Sequence, residues 1–205
     1  ALYDTMRNNY AAFEKEYLSI LGMYLTLPEP KSFKDKKKQK KWNADWENNN
    51  PRKIFYYKLR DRYAFEHQSI PTERLMAELY FMMKVNFNGM WKAYAKQNYR
   101  YSTPPGTLTQ KGTFFNIKET RNFSEFLNRC TLQCDDFATM SQYAGEGTYY
   151  YADPPYRDSV VEYQDTFGDD EQKRLVKTLQ DYSDAGSYIA ESNKEIGDNF
   201  WENNF

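Results

Sequence analysis

The stretch Tyr149-Tyr150-Tyr151-Ala152-Asp153-Pro154-Pro155-Tyr156 constrains this chain more than any other. Three tyrosines and an alanine form a short run with strand character, as aromatic side chains suit a pleated, half-buried surface. A strand cannot continue through Pro154-Pro155, because each ring fixes φ and removes a backbone donor. Asp153 and Tyr156 are therefore expected on a stiff turn at the carboxyl end of a strand, where open α/β sheets bind ligands. The carbonyls of Pro154 and Pro155, left without strand partners, are expected to be able to point into a pocket. An acid, a ring and a free carbonyl on one turn suit a planar heterocycle carrying an exocyclic amine. The amine donates to the carboxylate and the carbonyl, and the heterocycle stacks on Tyr156. The plainer alternative is a strand-to-loop turn that ends in an acid.

The sequence around this turn has the rhythm of a parallel sheet covered by helices. Arg157 to Phe167 reads as a loop, and Asp169-Asp170-Glu171 then start a helix with acids at the positive end of its dipole. Leu175, Val176 and Leu179 are expected to face the sheet, Gly186 ends the helix, and Ser187 to Ala190 forms a second strand leading to Glu191-Ser192-Asn193. Strand, helix, strand is the βαβ unit. Upstream, Thr131 to Cys134 resembles a strand, and Ala138 to Tyr143 one or two helical turns. The fold class expected is α/β.

The first half reads as helical. Leu2, Met6, Tyr10, Phe13, Tyr17, Ile20, Leu21 and Tyr24 recur at helical spacing, which predicts one helix over 1–27 ended by Pro28 and Pro30. Further helices are expected over 52–62, from Ser69-Ile70-Pro71-Thr72 with proline in the first turn, and over 123–130 with Ser124 near its cap. The helix after Pro71 is expected to bury Leu75, Met76, Leu79, Tyr80, Met82 and Met83 and to stop near Asn86-Phe87-Asn88-Gly89. At 205 residues, one domain with a sizeable insertion is expected.

Two segments have a composition suited to nucleic acid. Lys31 to Lys41 is a lysine cluster, either a solvated loop or a phosphate-contacting arm. Asn88 to Lys111 interleaves amides, basic side chains and rings: Trp91, Lys92, Tyr94, Lys96, Gln97, Asn98, Tyr99, Arg100 and Tyr101. That suits either a base-reading surface or an ordinary exposed hairpin. The net charge is −1, so any contact with DNA must come from such local clusters. No apolar run approaches membrane-spanning length. Cys130 and Cys134, far from the single His67, lack the partners of a four-ligand zinc site and read as reduced core thiols of a cytoplasmic protein.

Asp153-Pro154-Pro155-Tyr156 resembles the catalytic motif of amino-methyltransferases acting on DNA, above all the Dam-like, D12 class of N6-adenine enzymes. Other segments resemble that class in its own order. Residues 2–13 are similar to the helix after its cofactor-binding strands, and residues 54–83 to the helices before its target-recognition region. Phe87-Asn88-Gly89-Met90-Trp91-Lys92 resembles its Tyr-Asn-Gly-x-x-Arg element, Phe167 its helix-leading phenylalanine, and Ser192-Asn193 its Ser-Asn strand end. The class's Phe-x-Gly-Gly-Gly loop and following Asn-Asp have no counterpart here, since no two of the nine glycines are adjacent. The expectation is that the native protein continues upstream, or that this is a relative that no longer binds cofactor. The class's last strands also have no counterpart.

The resemblance implies a Rossmann-like methyltransferase sheet over 1–27 and 113–205, with a target-recognition region over 28–112 carrying a β-hairpin. It implies transfer of a methyl group from S-adenosyl-L-methionine to N6 of an adenine flipped out of double-stranded DNA, with no metal. Asp153 and the carbonyl of Pro154 would hold the amine, on the turn that Pro155 stiffens, and Tyr156 would stack on the base. Phe137 would pack on the cofactor's adenine, with Asp136 beside it and Asp153 near the cofactor; the alternative for Phe137 is a core residue under the sheet. Phe87, Asn88, Met90, Trp91, Lys92, Lys96 and Arg100 would contact DNA, with Phe87 and Trp91 either intercalating or part of the core. Phe87 stands where the class has tyrosine, and Lys92, where it has arginine, lacks the bidentate fork that reads guanine, which puts the class's GATC specificity in doubt for this chain. A pocket between Asp153 and the Phe137 region is expected. Two further readings use the same residues: a DNA-binding module without catalysis, and a helical interaction protein in which the motif is accidental.

Overall fold

The computed structural model of the protein describes residues 1–29, 37–38, 50–90, 103–106, 108, 116–157 and 167–204. These pack as two units, Ala1–Leu132 and Gln133–Phe205. The described residues are mostly helical, with one small parallel sheet.

The first unit is built from α1 (Leu2–Asn8), α2 (Tyr10–Thr26), α3 (Pro51–Phe65), α4 (Thr72–Val85) and α5 (Ile117–Leu127). The expected apolar stripe holds: Met6, Phe13, Tyr17, Ile20, Leu21 and Tyr24 are buried in one core. It runs over two helices rather than one, because Asn9 leaves helical geometry (φ −137°, ψ 37°). The Asn9 side chain donates to Glu73 at 2.7 Å. Met6 lies in the last turn of α1, where carbonyls lose their helical partners. Its oxygen accepts from the buried Ser124 Oγ at 2.6 Å. Ser124 is therefore mid-helix in α5, and the cap of that helix is Asn116, whose side chain accepts from Lys118 and Glu119.

α3 starts at Pro51, with Asn50 accepting from the amides of Arg52 and Lys53. Pro71 occupies the cap of α4 rather than its first turn. On α4, Met76, Leu79 and Met82 are buried as expected, joined by Phe81 and Val85. Met83 is exposed, since it lies about 100° round the helix from Met82. Glu78 is fully buried on the same face, held by Arg62 at 2.9 Å and Arg74 at 2.8 Å. Arg74 also reaches Glu16 of α2.

Arg52 is the largest fully buried side chain. It donates to the carbonyls of Leu27 and Leu108 and lies 4.5 Å over the ring of Tyr24. Leu108 has φ +57°, a strained backbone for a branched residue. Its carbonyl also accepts from Tyr24 Oη at 3.0 Å, so two donors hold the strained residue in place.

In the second unit a 3₁₀ segment, Phe137–Tyr143, precedes β1 (Tyr149–Ala152), α6 (Asp169–Asp184), β2 (Tyr188–Glu191) and α7 (Phe200–Asn204). β1 and β2 pair in parallel, Tyr149 to Tyr188 and Ala152 to Glu191. Leu175, Leu179 and Tyr182 of α6 pack against Tyr150, Ala152 and Ile189. Thr131 to Cys134 is not a strand. Thr131, Gln133 and Cys134 are exposed, and a segment with one packed side chain, Leu132, has no apolar face to bury. Cys134 is thus no core thiol, while Cys130 is half-buried; both are free. Two strands are all the sheet that the described residues show.

Ser124→Ala is expected to lower unfolding free energy by about 1–3 kcal/mol, since it strands the Met6 carbonyl in a buried place. Urea denaturation of both proteins checks this.

Candidate active site at the carboxyl ends of two parallel strands

The turn after β1 sits as the sequence predicts. Parallel pairing brings both strand ends to the same edge, and the ladder extends one step past them, Ser192 N donating to Ala152 O at 2.9 Å. Asp153 follows Ala152, and its Oδ1 accepts from Ser192 Oγ at 2.6 Å. Asp153 is exposed, with one carboxylate oxygen held and no donor to the other among the described residues. Tyr156 is exposed, at 41% of its residue surface.

The two proline carbonyls differ. Pro155 O accepts from Gln172 Nε2 at 2.7 Å, so it is tied to α6 rather than pointing into a pocket. The Pro154 carbonyl has no donor among the described residues. The expectation of two available carbonyls is corrected to one.

Arg157, directly after the turn, is buried and makes paired hydrogen bonds to both Asp169 and Asp198. Its guanidinium lies 3.8 Å over the ring of Phe200. The carboxylates of Asp198 and Asp169 hold its pKa above the ordinary arginine value. Arg157 N donates to Asn193 Oδ1 at 3.2 Å. Residues 158–166 lie outside the described residues.

Asp136 caps the 3₁₀ segment, accepting from Ala138 N, and both its oxygens are bound by Arg174 at 2.9 and 2.8 Å. Arg174 and the Ala138 amide hold the Asp136 carboxyl down at about 2. Phe137 is half-buried, with Arg174 4.0 Å over its ring and Phe167 edge-on to it at 6.1 Å. Its carbonyl accepts from Tyr182 Oη.

A cavity of about 370 Å³ opens beside β2, lined by Ile189, Glu191, Asn193, Glu195 and Trp201. Neither Asp153 nor Phe137 lines it. Glu191 accepts from Asn193 Nδ2 at 3.0 Å, while its buried Oε2 has no partner. Burial pushes its pKa up, against the smaller lowering by Asn193.

In the first unit, Phe87 is exposed, and Asn88 takes φ +55° in a 3₁₀ turn ending at Gly89. Phe87 N donates to Pro104 O and Gly106 N to Val85 O, both at 2.9 Å. This antiparallel bridge closes the base of the segment between them. Any Cβ on Gly106 would meet Asn86 O at 2.8 Å, which is why glycine stands there. The carbonyl of Met90 accepts from Asn86 Nδ2 and Thr103 Oγ. Trp91, Lys92, Lys96 and Arg100, with most of the lysine cluster, lie outside the described residues. Among the described residues no group of His, Cys, Asp and Glu could hold a metal, and no helix is long and apolar enough to cross a membrane.

The sequence reading missed Gln172 and Arg157. Gln172 falls at i with Leu175, Val176 and Leu179 at i+3, i+4 and i+7. A polar residue in phase with a buried stripe was the available signal.

The family model of the D12 class N6 adenine-specific DNA methyltransferases matches residues 29–204. The chain is 25% identical, over 199 residues, to the type II methyltransferase M.MjaIII of Methanocaldococcus jannaschii, covering 93% of this chain and 60% of that protein. It is 29% identical over 138 residues to the DNA N-6-adenine-methyltransferase of Escherichia phage P1, covering 64% of this chain and 18% of that protein.

Two pH effects of opposite sign follow. Glu191, with its pKa raised in the folded state, costs stability as pH rises above 4.5 and it ionises. Glu191→Gln is therefore expected to unfold at higher temperature than the parent near pH 7.5, with the gap closing below pH 4.5. Asp136 has the reverse linkage: its contribution is present above 3.8 and lost as pH falls towards about 2. Asp136→Asn should flatten that part of the acid limb in a thermal melt series.

Proposed function

The chain belongs to the D12 class N6 adenine-specific DNA methyltransferase family, and from that premise we propose that it is part of an enzyme that methylates N6 of adenine in double-stranded DNA. Methyl donation by S-adenosyl-L-methionine and flipping of the target base are parts of the same proposal. The observation that carries it is the Asp153 carboxylate, held by Ser192 at the end of a parallel strand, on the same turn as the exposed Tyr156.

Adenine in a duplex presents no face to such a turn, so the base must leave the stack. Its amine is a weak nucleophile because the nitrogen lone pair is delocalised into the ring. The second carboxylate oxygen of Asp153 and the carbonyl of Pro154 would each accept one amine hydrogen. Two acceptors fixed on a rigid turn favour a pyramidal nitrogen with its lone pair free, and they need no reorganisation during reaction. Tyr156 would lie against the base and hold its plane.

The donor set partly fits S-adenosyl-L-methionine: Phe137 offers a half-buried ring for its purine, on a segment that the Asp136–Arg174 pair holds in place. When bound, that cofactor supplies an electrophilic methyl group. The proposed division is a catalytic region over 1–27 and 113–205 with a Rossmann-like sheet, and a target-recognition region over 28–112. The base of that region's DNA-reading hairpin would be the Phe87–Pro104 bridge.

The full-length protein is expected to transfer labelled methyl groups from S-adenosylmethionine to duplex DNA, giving N6-methyladenine on hydrolysis. Asp153→Ala should lower kcat by roughly 10²-fold or more. Incorporation no higher than in that variant overturns the proposal. A duplex carrying 2-aminopurine at the target should brighten on binding if the base is extruded.

A further inference from the structure

Gln172 has no part in the chemistry above, yet it is 1% exposed and sits in the apolar stripe of α6. Burying an amide costs free energy unless its donors and acceptor are paired. Its Nε2 donates to Pro155 O at 2.7 Å, and its Oε1 accepts from Asn193 Nδ2 at 3.1 Å. Asn193 Oδ1 in turn accepts from the backbone amides of Arg157, at 3.2 Å, and Lys194, at 2.9 Å. The sense of this relay is fixed at both ends. A backbone carbonyl can only accept and a backbone amide can only donate, so neither side-chain amide can turn over without losing the bonds it makes here, two for Gln172 and, with the one to Glu191, four for Asn193.

We infer that Gln172 is a positioning residue for the Asp-Pro-Pro-Tyr turn, drawing the Pro155 carbonyl towards α6 and so setting the orientation of the Pro154 carbonyl and the Tyr156 ring. The inference rests on the proposed methyl transfer for its kinetic consequence, but not for its structural one. The turn is pinned at three successive points: Asp153 by Ser192, Pro155 by Gln172, and the Arg157 amide by Asn193. The middle pin decides which carbonyl faces the site. Proline fixes φ but leaves ψ free, so the Pro154–Pro155 peptide and the one after it still need an external hold. Without the donor from Gln172, the Pro155 carbonyl is released and the acceptors on the turn lose their alignment. A displacement of about 1 Å at a reacting group can lower rate by about 100-fold.

The test uses the full-length protein with Gln172→Leu and Gln172→Glu, and reads kcat and KM separately, together with hydrogen exchange over residues 153–157. Gln172→Leu should lower kcat by about 10- to 100-fold, with KM for DNA and for S-adenosylmethionine within about threefold of the parent. Exchange of the Arg157 amide should accelerate while that of the β1–β2 ladder stays slow. Gln172→Glu discriminates positioning from plain stability, because a neutral carboxyl can still donate to Pro155 O and an ionised one cannot. Its kcat should therefore recover as pH falls, relative to the parent at each pH. The inference is overturned if Gln172→Leu keeps the parent's kcat, or if Gln172→Glu shows no relative recovery at low pH. It is equally overturned if Arg157 exchange is unchanged. If the parent protein itself transfers no methyl group, the proposed reaction fails, and the exchange result still decides the positioning of the turn.

Discussion

The in-register parallel pairing of Tyr149–Ala152 with Tyr188–Glu191 is the constraint on which the site depends. Because side chains alternate along a strand, a one-residue slip would send every one of them to the opposite face. Tyr150 prevents it. Its ring stacks on Tyr182 at 4.6 Å and its hydroxyl donates to Met140 O, so it can fill only one position against α6. Tyr182 donates in turn to the carbonyls of Phe137 and Ala138. With Tyr150 and Ile189 locked inward, Ser192 is the residue that arrives beside Asp153. An aromatic packing choice in the core thus sets a 2.6 Å contact at the surface.

α6 organises both sides of the unit through one helix face and its ends. Leu175, Leu179 and Tyr182 bury their apolar surface against the strands, at roughly 1.5–3 kcal/mol for each fully buried side chain. One turn earlier on the same face, Gln172 reaches the strand-end turn, and Asp169 at the first helical position receives Arg157. Arg174, on the flank, binds Asp136 and covers Phe137. Packing that stabilises the helix therefore also fixes the polar groups at its start. The charge balance there is uneven by design of the residues: Arg157 is buried against two acids, whereas Glu191 has a single amide partner and a bare inner oxygen. Arg157 keeps its charge easily, and Glu191 resists ionisation.

What could be read from the sequence was what depends on local chemistry. The stop at Pro154-Pro155, the acid-led start of α6, the glycine end at Gly186 and the stripe from Met6 to Tyr24 all follow from backbone freedom or helical spacing. The failures share a cause: they depended on neighbours distant in the chain. Asn9 breaks a continuous apolar pattern, and Ser124 serves a carbonyl 118 residues away rather than its own helix end. Thr131–Cys134 has strand-like composition but no partner among the described residues. At the site, Asp153 and Tyr156 were legible because proline stiffens them from within the motif. The tethering of Pro155 was not, because Gln172 and Asn193 come from later elements.

The same distinction between stiff root and reading surface governs the proposed DNA-contacting segment. Val85 to Phe87 and Pro104 to Gly106 are bridged by two backbone hydrogen bonds, and the Met90 carbonyl is held by Asn86 and Thr103. Tyr56 Oη of α3 donates to Thr103 O at 2.7 Å, fastening this root to the helical core. Asn88 and Gly89, both with positive φ, turn the chain out of α4 at that point. A recognition element is accurate to the extent that its base is rigid. In the proposed function, selectivity would be left to the side chains of residues 91–102. On the proposed reading, Lys92 brings a point charge without the planar fork of arginine, which suits phosphate attraction rather than the reading of a guanine edge.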